Sequence, residues 1–517
     1  MLLTATILAP LVGALACLVV PRRAANAVRL VALLASLVAF GLTVAVALRF
    51  DTGQAGFQLG QSADWVRSLG IRWSVGVDGI SLPLVLLTTV LTPLAVLGAW
   101  RPSRAEATGD NGVPGSAAEG AAVRSRGYVA LMLVLESALL GVFTSRDLFL
   151  FYVFWEAVLI PAYFLIGVWG GERRVAAAVK FFLYTLFGGL LMLVSILGLY
   201  YLQRRTGAAP SFDYEAIRAV PKDPAVQRWL FVGLFAAFAV KTPLFPFHTW
   251  LPDAYDAAPA TTTVLLAGVM SKMGAYGFIR LALPLTPEGA HWARPVVITL
   301  AVVSIVYAAL VAVRQERFKR LVAYSSVSHM GFIVLGIFAL TLQGVQGGVF
   351  YMVAHGLIIG GLFFMVGMLS DRLPGRRIDD LGGLQQVVPR MAGVMLVLTL
   401  ASVALPGLVG FVGEFLVLLG AFQASALAAV VAVLGVILSA VYLLWAYQRM
   451  WQGELGSDRF RALPDLSGRE WAVLVPLIAA IIVLGMAPKP LLDRVEPAAR
   501  QVVEQSASAS PAAQATP

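Results

Sequence analysis

The sequence predicts an all-α polytopic membrane protein of about 14 transmembrane helices, built as two inverted five-helix repeats with two broken helices. Three observations predict it. Of 517 residues, 59% are hydrophobic and 13% charged, with a mean hydropathy of +0.84, and a soluble fold of this size would lack the polar cover that water demands. Apolar stretches of bilayer length recur from one end to the other. Ionisable residues that lipid penalises recur inside those stretches at matching intervals.

The first apolar run begins at Met1 with no Lys or Arg ahead of it. It reaches Pro21-Arg22-Arg23 without a small-residue cleavage pattern, so it reads as a transmembrane helix and not a removed signal. The spans fall at approximately 2–20, 28–48, 79–100, 127–143, 147–168, 175–202, 229–248, 257–285, 295–313, 321–341, 345–369, 391–420, 424–448 and 471–488. Residues 1–100 thus hold three N-terminal helices, 127–285 a first five-helix repeat, 295–448 a second, and 471–488 a last helix. Three connections are longer: 101–126, 203–228 and 449–470. The first, rich in Gly, Ala and Ser, reads as an insertion, and the tail 498–517, rich in Ala, Ser, Pro and Gln, as disordered.

The odd-numbered loops share one side and hold the larger share of Lys and Arg, including Arg314, Arg317, Lys319 and Arg320. That side is expected to be cytoplasmic, with both termini on the other. The net charge of +10 is then a matter of topology and not of nucleic-acid binding. The single cysteine, Cys17, excludes an intrachain disulfide and a self-contained iron–sulfur cluster. No Gly-rich phosphate loop occurs. No metal or cofactor site is therefore expected on this chain, and redox chemistry would sit on partners.

Three lysines lie within predicted spans: Lys180, Lys241 and Lys272. Glu136, Glu156, Glu414, His329 and His355 are also set in apolar sequence. Each such group costs at least ~2.5–3.5 kcal/mol near a bilayer centre, so a helix that keeps one turns it toward a partner or water. Lys180 reads equally as a snorkelling end residue, Glu136 as a pin between helices, and His355 as a satisfied core histidine. The other five form a pattern. Glu156 to Lys241 and His329 to Glu414 are both 85 residues apart, which offsets the two pairs by 173. An odd number of spans per repeat inverts the second copy, the plan by which transporters surround a central site. The helices carrying Lys241 and Glu414 are both interrupted, at Lys241-Thr242-Pro243-Leu244-Phe245-Pro246 and at Leu405-Pro406-Gly407. Proline removes a backbone donor and glycine permits unwinding, and the freed carbonyls need protein or water partners.

Such groups can move protons. A carboxylate ~5 Å from a buried ammonium interacts with it by about 3 kcal/mol at an effective dielectric near 20, about two powers of ten in proton affinity. Moving the carboxylate thus changes the lysine's hold on its proton, and histidine titrates near neutrality unaided. Glu156 as modulator, Lys241 as switch, Lys272 and His329 as relay and Glu414 as exit form the expected chain.

Three stretches carry a family likeness: Phe151-Tyr152-Val153-Phe154-Trp155-Glu156 through Pro161, Lys241-Thr242-Pro243 through Asp253, and Tyr324-Ser325-Ser326-Val327-Ser328-His329-Met330-Gly331. On them, over about residues 1–490, the chain resembles the antiporter-like membrane subunits of respiratory complex I (NADH:quinone oxidoreductase), most closely the subunit-4 type. That type bears glutamate on the second broken helix where sister subunits bear lysine, and Gly413-Glu414-Phe415 fits it. The resemblance implies 14 core helices, one proton channel, Glu156 and Lys241 as its ion pair, and Lys272, His329 and Glu414 along its axis. It implies that FMN and iron–sulfur clusters sit on partner subunits, that sister antiporter-like subunits are neighbours in a bacterial inner membrane, and that the enzyme activity is the complex's. A multisubunit Na+/H+ antiporter subunit shares the fold and is the alternative, with Glu414 against it. A passive membrane scaffold is opposed by the broken helices.

Overall fold

The computed structural model describes residues 1–21, 24–100, 117–373 and 377–508. Among these, twelve helices are long and apolar enough to cross a membrane. Three come first, α1 (Leu2–Val19), α2 (Ala25–Leu48) and α3 (Ser81–Gly98). They are followed by α4 (Ala117–Thr144), α5 (Leu148–Trp169) and α6 (Arg174–Arg205). The broken element α7 (Pro224–Lys241) and α8 (Trp250–Ala257) comes next, then α9 (Ala260–Leu285). The long helices α10 (Pro287–Val313), α11 (Phe318–Ala339) and α12 (Leu342–Arg372) precede a second broken element, α13 (Pro389–Ser402) and α14 (Val409–Ala424). The chain ends with α15 (Ala426–Trp451), α16 (Gly468–Met486) and α17 (Lys489–Ser508). The order of three long helices, one broken and one long occurs twice, in α4–α9 and α10–α15.

Local chemistry sets the helix ends. Asp147 accepts from the amides of Phe149 and Leu150 to start α5, and Asp223 precedes Pro224 at the first position of α7. Ser467 and Glu470 form a reciprocal capping box on α16. The breaks follow proline: α7 stops at Lys241 before Pro243 and Pro246, and α13 stops at Ser402 before Pro406 and Gly407, whose φ is +92°.

Burial distinguishes centre from perimeter. The spans α9 and α12 are 100% buried over their apolar windows and α11 94%, whereas α2 and α16 are 28% buried. Helices with apolar residues on all sides are either core or lipid-facing, and here both kinds occur.

A hairpin marks one face of the bundle. Strands β1 (Gln58–Val66) and β2 (Ile71–Val77) pair antiparallel, turning through Gly70 at φ +71°. The all-α expectation missed it; its signal is the alternation from Ile71 to Val77, which a search for 18-residue apolar runs passes over. Gln61 accepts from the amide of Thr4 (3.1 Å) and Ser74 from that of Arg146 (2.8 Å). α17 lies on this face too: His291 meets the Ser506 carbonyl (2.7 Å) and Gln346 donates to that of Leu492 (3.0 Å). Thus α4 ends at the hairpin face while α10 begins there, so the two sets run in opposite senses.

α17 corrects the expected disorder from 498 onward. Val495, Ala498, Ala499 and Val502 are fully buried on one side of it, a helical spacing that the Ala, Ser and Gln composition hides; 509–517 lie outside the described residues. Of the expected insertion 101–126, residues 101–116 lie outside them and the rest is helical, as α4 begins at Ala117.

Candidate functional site

Glu156 projects from α5 onto α6 at Gly189, where a Cβ would stand 1.9 Å from Glu156 Oε1. Only a glycine admits the carboxylate there. Lys241, the last residue of α7, is fully buried, and its Nζ has no hydrogen-bond partner among the described residues. It lies instead over the rings of Trp155 (5.4 Å) and Phe181 (5.6 Å), an attraction between cation and ring quadrupole. Among the described residues no ion pair joins its Nζ to the Glu156 carboxylate, and the Trp155 ring that faces Lys241 belongs to the residue next to Glu156.

Lys272 is held differently. It sits in α9 between two π-helical segments, Leu266–Met270 and Phe278–Ala282, whose extra residue displaces the normal backbone bonding. Its Nζ donates to the Ala267 carbonyl (2.6 Å), Ser271 Oγ (3.3 Å) and His355 Nδ1 (2.7 Å). An ammonium has three donors and no acceptor, so with Lys272 charged all three are used, and His355 then presents its lone pair at Nδ1 with its proton on Nε2.

The His355 ring lies 5.6 Å from that of His329, centroid to centroid. His329 Nδ1 is 2.6 Å from the Tyr351 hydroxyl and 3.2 Å from Glu414 Oε1; its Nε2 is 3.4 Å from Ser402 Oγ. Tyr351 donates to Glu414 Oε1. Residues from α9, α11, α12, α13 and α14 thus join Lys272, His355, His329, Tyr351, Ser402 and Glu414 into one buried polar row. The carboxylate–lysine site of the first half stands beside it, since Gly274, two residues after Lys272, packs against Thr242, the residue after Lys241.

The other predicted residues fall elsewhere. Glu136 is fully buried, with no hydrogen-bond partner for its carboxylate oxygens among the described residues, and the nearby Thr92 hydroxyl donates to the Thr88 carbonyl. Lys180 pairs with Asp253 at 2.8 Å on the face opposite the hairpin, where Arg317 also pairs with Asp256 (2.5 Å) and Arg372 with Glu470 (2.7 Å). The 173-residue offset does not equate Lys241 with Glu414 in the helix geometry. Lys241 closes the half-helix before its break, whereas Glu414 lies in the second turn after one; the residue that closes the corresponding half-helix is Ser402.

Sequence reasoning missed Tyr351 and Ser402, whose residue types carry no penalty in an apolar run. It also missed Asp78 and Arg280, a buried ion pair near the hairpin face. Arg280 stands over Phe57 (4.4 Å) and Tyr214 (5.7 Å), and its place inside the predicted span 257–285 was the available signal.

Comparison with known proteins comes from three directions. Residues 145–439 match the family described as NADH:quinone oxidoreductase/Mrp antiporter, TM. NADH-quinone oxidoreductase subunit M of Mycobacterium tuberculosis is 41% identical over 98% of this chain and 94% of its own length. A chain in the structure of respiratory complex I from Thermus thermophilus with bound NADH superposes with a TM-score of 0.86 at 35% identity, over 98% of this chain and 100% of that one. A chain of the Mrp complex from Dietzia sp. reaches a TM-score of 0.82 at 20% identity, over 99% and 100%, a likeness of fold alone.

Proposed function

The chain belongs to the NADH:quinone oxidoreductase/Mrp antiporter membrane-subunit family, and from that premise we propose that it is the antiporter-like, proton-translocating subunit M of NADH:quinone oxidoreductase. The observation that carries this reading is the buried polar row from Lys272 through His355 and His329 to Glu414, with Glu156 and Lys241 beside it at a broken helix. A structural core has no use for so many ionisable groups at such desolvation cost.

In this reading Glu156 modulates Lys241, Lys241 is the switch, Lys272 and His329, joined by His355, relay protons, and Glu414 is the exit. Glu136, on the neighbouring α4, and Lys180, in its ion pair, are secondary. Electron transfer through FMN and iron–sulfur clusters to quinone belongs to partner subunits, and sister antiporter-like subunits flank this chain in the bacterial inner membrane. The two five-helix sets are half-channels of opposite sense, and both termini lie outside the cytoplasm. The excess of Lys and Arg in the loops opposite the hairpin supports that orientation. The Mrp alternative shares the family and the fold, but the relative at 41% identity is an NADH-quinone oxidoreductase subunit M.

The test is Lys241→Ala in the assembled complex, reconstituted in vesicles. NADH-driven proton pumping should fall severalfold or more while NADH oxidation at the peripheral redox sites persists. Pumping at the wild-type level would remove Lys241 from the mechanism. Purification of the tagged chain without flavin or iron–sulfur absorbance would reassign it to the cation/proton antiporters.

A further inference from the structure

Resting on that reading, we propose that the Tyr351 hydroxyl is the main proton relay between His329 and Glu414. Three observations place it there. The hydroxyl oxygen lies 2.6 Å from His329 Nδ1, whereas Glu414 Oε1 is 3.2 Å from the same nitrogen. One N–H serves one acceptor well, and the nearer oxygen takes it. The phenol's own proton is directed at Glu414 Oε1, so the hydroxyl accepts on one side and donates on the other.

The backbone around it explains why a side chain fills this position. Helices α12 and α14 meet through glycines. A Cβ at Gly413 would lie 2.5 Å from Tyr351 Cδ2 and 2.9 Å from its Cα, one at Gly347 2.7 Å from Leu416 Cβ, and one at Gly420 2.3 Å from the Gly344 amide. Such an approach seats the Tyr351 ring directly against α14, which carries its hydroxyl to the Glu414 carboxylate. Ser402 Oγ at 3.4 Å from Nε2 marks the far side of the imidazole.

The step balances. The His329 Nδ1–H bond breaks as a bond forms from that proton to the Tyr351 oxygen, while the Tyr351 O–H proton passes to Glu414 Oε1. An imidazolium and a carboxylate become a neutral imidazole and a carboxylic acid, and the phenol is regenerated with a different proton. The reverse sequence is equally balanced, so the relay sets a path and not a direction.

The test uses the assembled complex in proteoliposomes. Tyr351→Phe keeps the ring against Gly413 and removes the hydroxyl; coupled proton pumping is expected to slow by about tenfold, as for loss of one charge-assisted hydrogen bond. Should that variant fail to assemble, a fluorinated tyrosine introduced at position 351, nearly the same in shape and more acidic, should shift the pH profile of pumping to lower pH. A purely structural tyrosine would leave the profile in place. Wild-type pumping by Tyr351→Phe, or an unmoved profile with the fluorinated residue, overturns the relay in favour of the direct His329–Glu414 contact. Glu414→Gln, run alongside, separates the two claims. Normal pumping there overturns the reading of the whole row, whereas its loss beside a normal Tyr351→Phe overturns the relay alone.

Discussion

Gly189→Ala tests whether the position of Glu156 matters to Lys241. A Cβ at 189 would stand 1.9 Å from Glu156 Oε1 and 3.0 Å from its Cδ. The colliding atoms are the far end of a flexible side chain, so the carboxylate swings away and the backbone stays. An off-rotamer carboxylate costs ~0.5–1.5 kcal/mol, and replacing Gly by Ala within a helix returns up to about 1 kcal/mol, so assembly should hardly change. The electrostatic effect is larger in consequence. For a charge pair at an effective dielectric of about 20, widening the separation from ~5 to ~7 Å cuts the attraction from about 3.3 to about 2.4 kcal/mol. The difference is about fivefold in a proton equilibrium. NADH-driven acidification in proteoliposomes, followed with a pH-sensitive dye, should slow by about that factor while uncoupled NADH oxidation is preserved. Gly41→Ala, at a position with no heavy atom within 4 Å, is the control. Equal pumping by the two variants would refute the argument.

Two further outcomes follow from the buried pairs. Asp78→Asn leaves Arg280 charged and uncompensated and should destabilise the assembled protein by about 3–5 kcal/mol, read as a lower thermal unfolding midpoint in detergent. Adding Arg280→Met should recover much of the loss, since no charge is then left buried without a counter-charge. His355→Leu takes one of three acceptors from Lys272, a loss of about 1–3 kcal/mol. Stopped-flow proton uptake should then slow by about tenfold or more without loss of the complex from native gels.

Legibility in the sequence followed the size of the physical penalty. Charge in lipid is expensive, so Glu156, Lys241, Lys272, His329 and Glu414 stand out of an apolar background without any structure. Proline and glycine mark both broken helices for a similar reason, because backbone groups freed inside a membrane must be answered. Tyr351 and Ser402 carry no such penalty and are common in helices, so only coordinates bring them to His329. The hairpin and α17 escaped because their patterns have other periods, alternation in β2 and a narrow apolar stripe on α17. Arg280 shows the converse case: the signal was present, and its partner, Asp78, lies some two hundred residues earlier, beyond the reach of spacing arguments.

The two buried lysines of the first half, Lys241 and Lys272, are held in different ways. Lys272 is fastened by three directed bonds, so its charge has an address. Lys241 rests between the faces of Trp155 and Phe181, an attraction that varies gently with angle, so its charge has a range. In the proposed relay, an engineered swap of their surroundings should therefore alter where conduction is interrupted even with every ionisable residue retained.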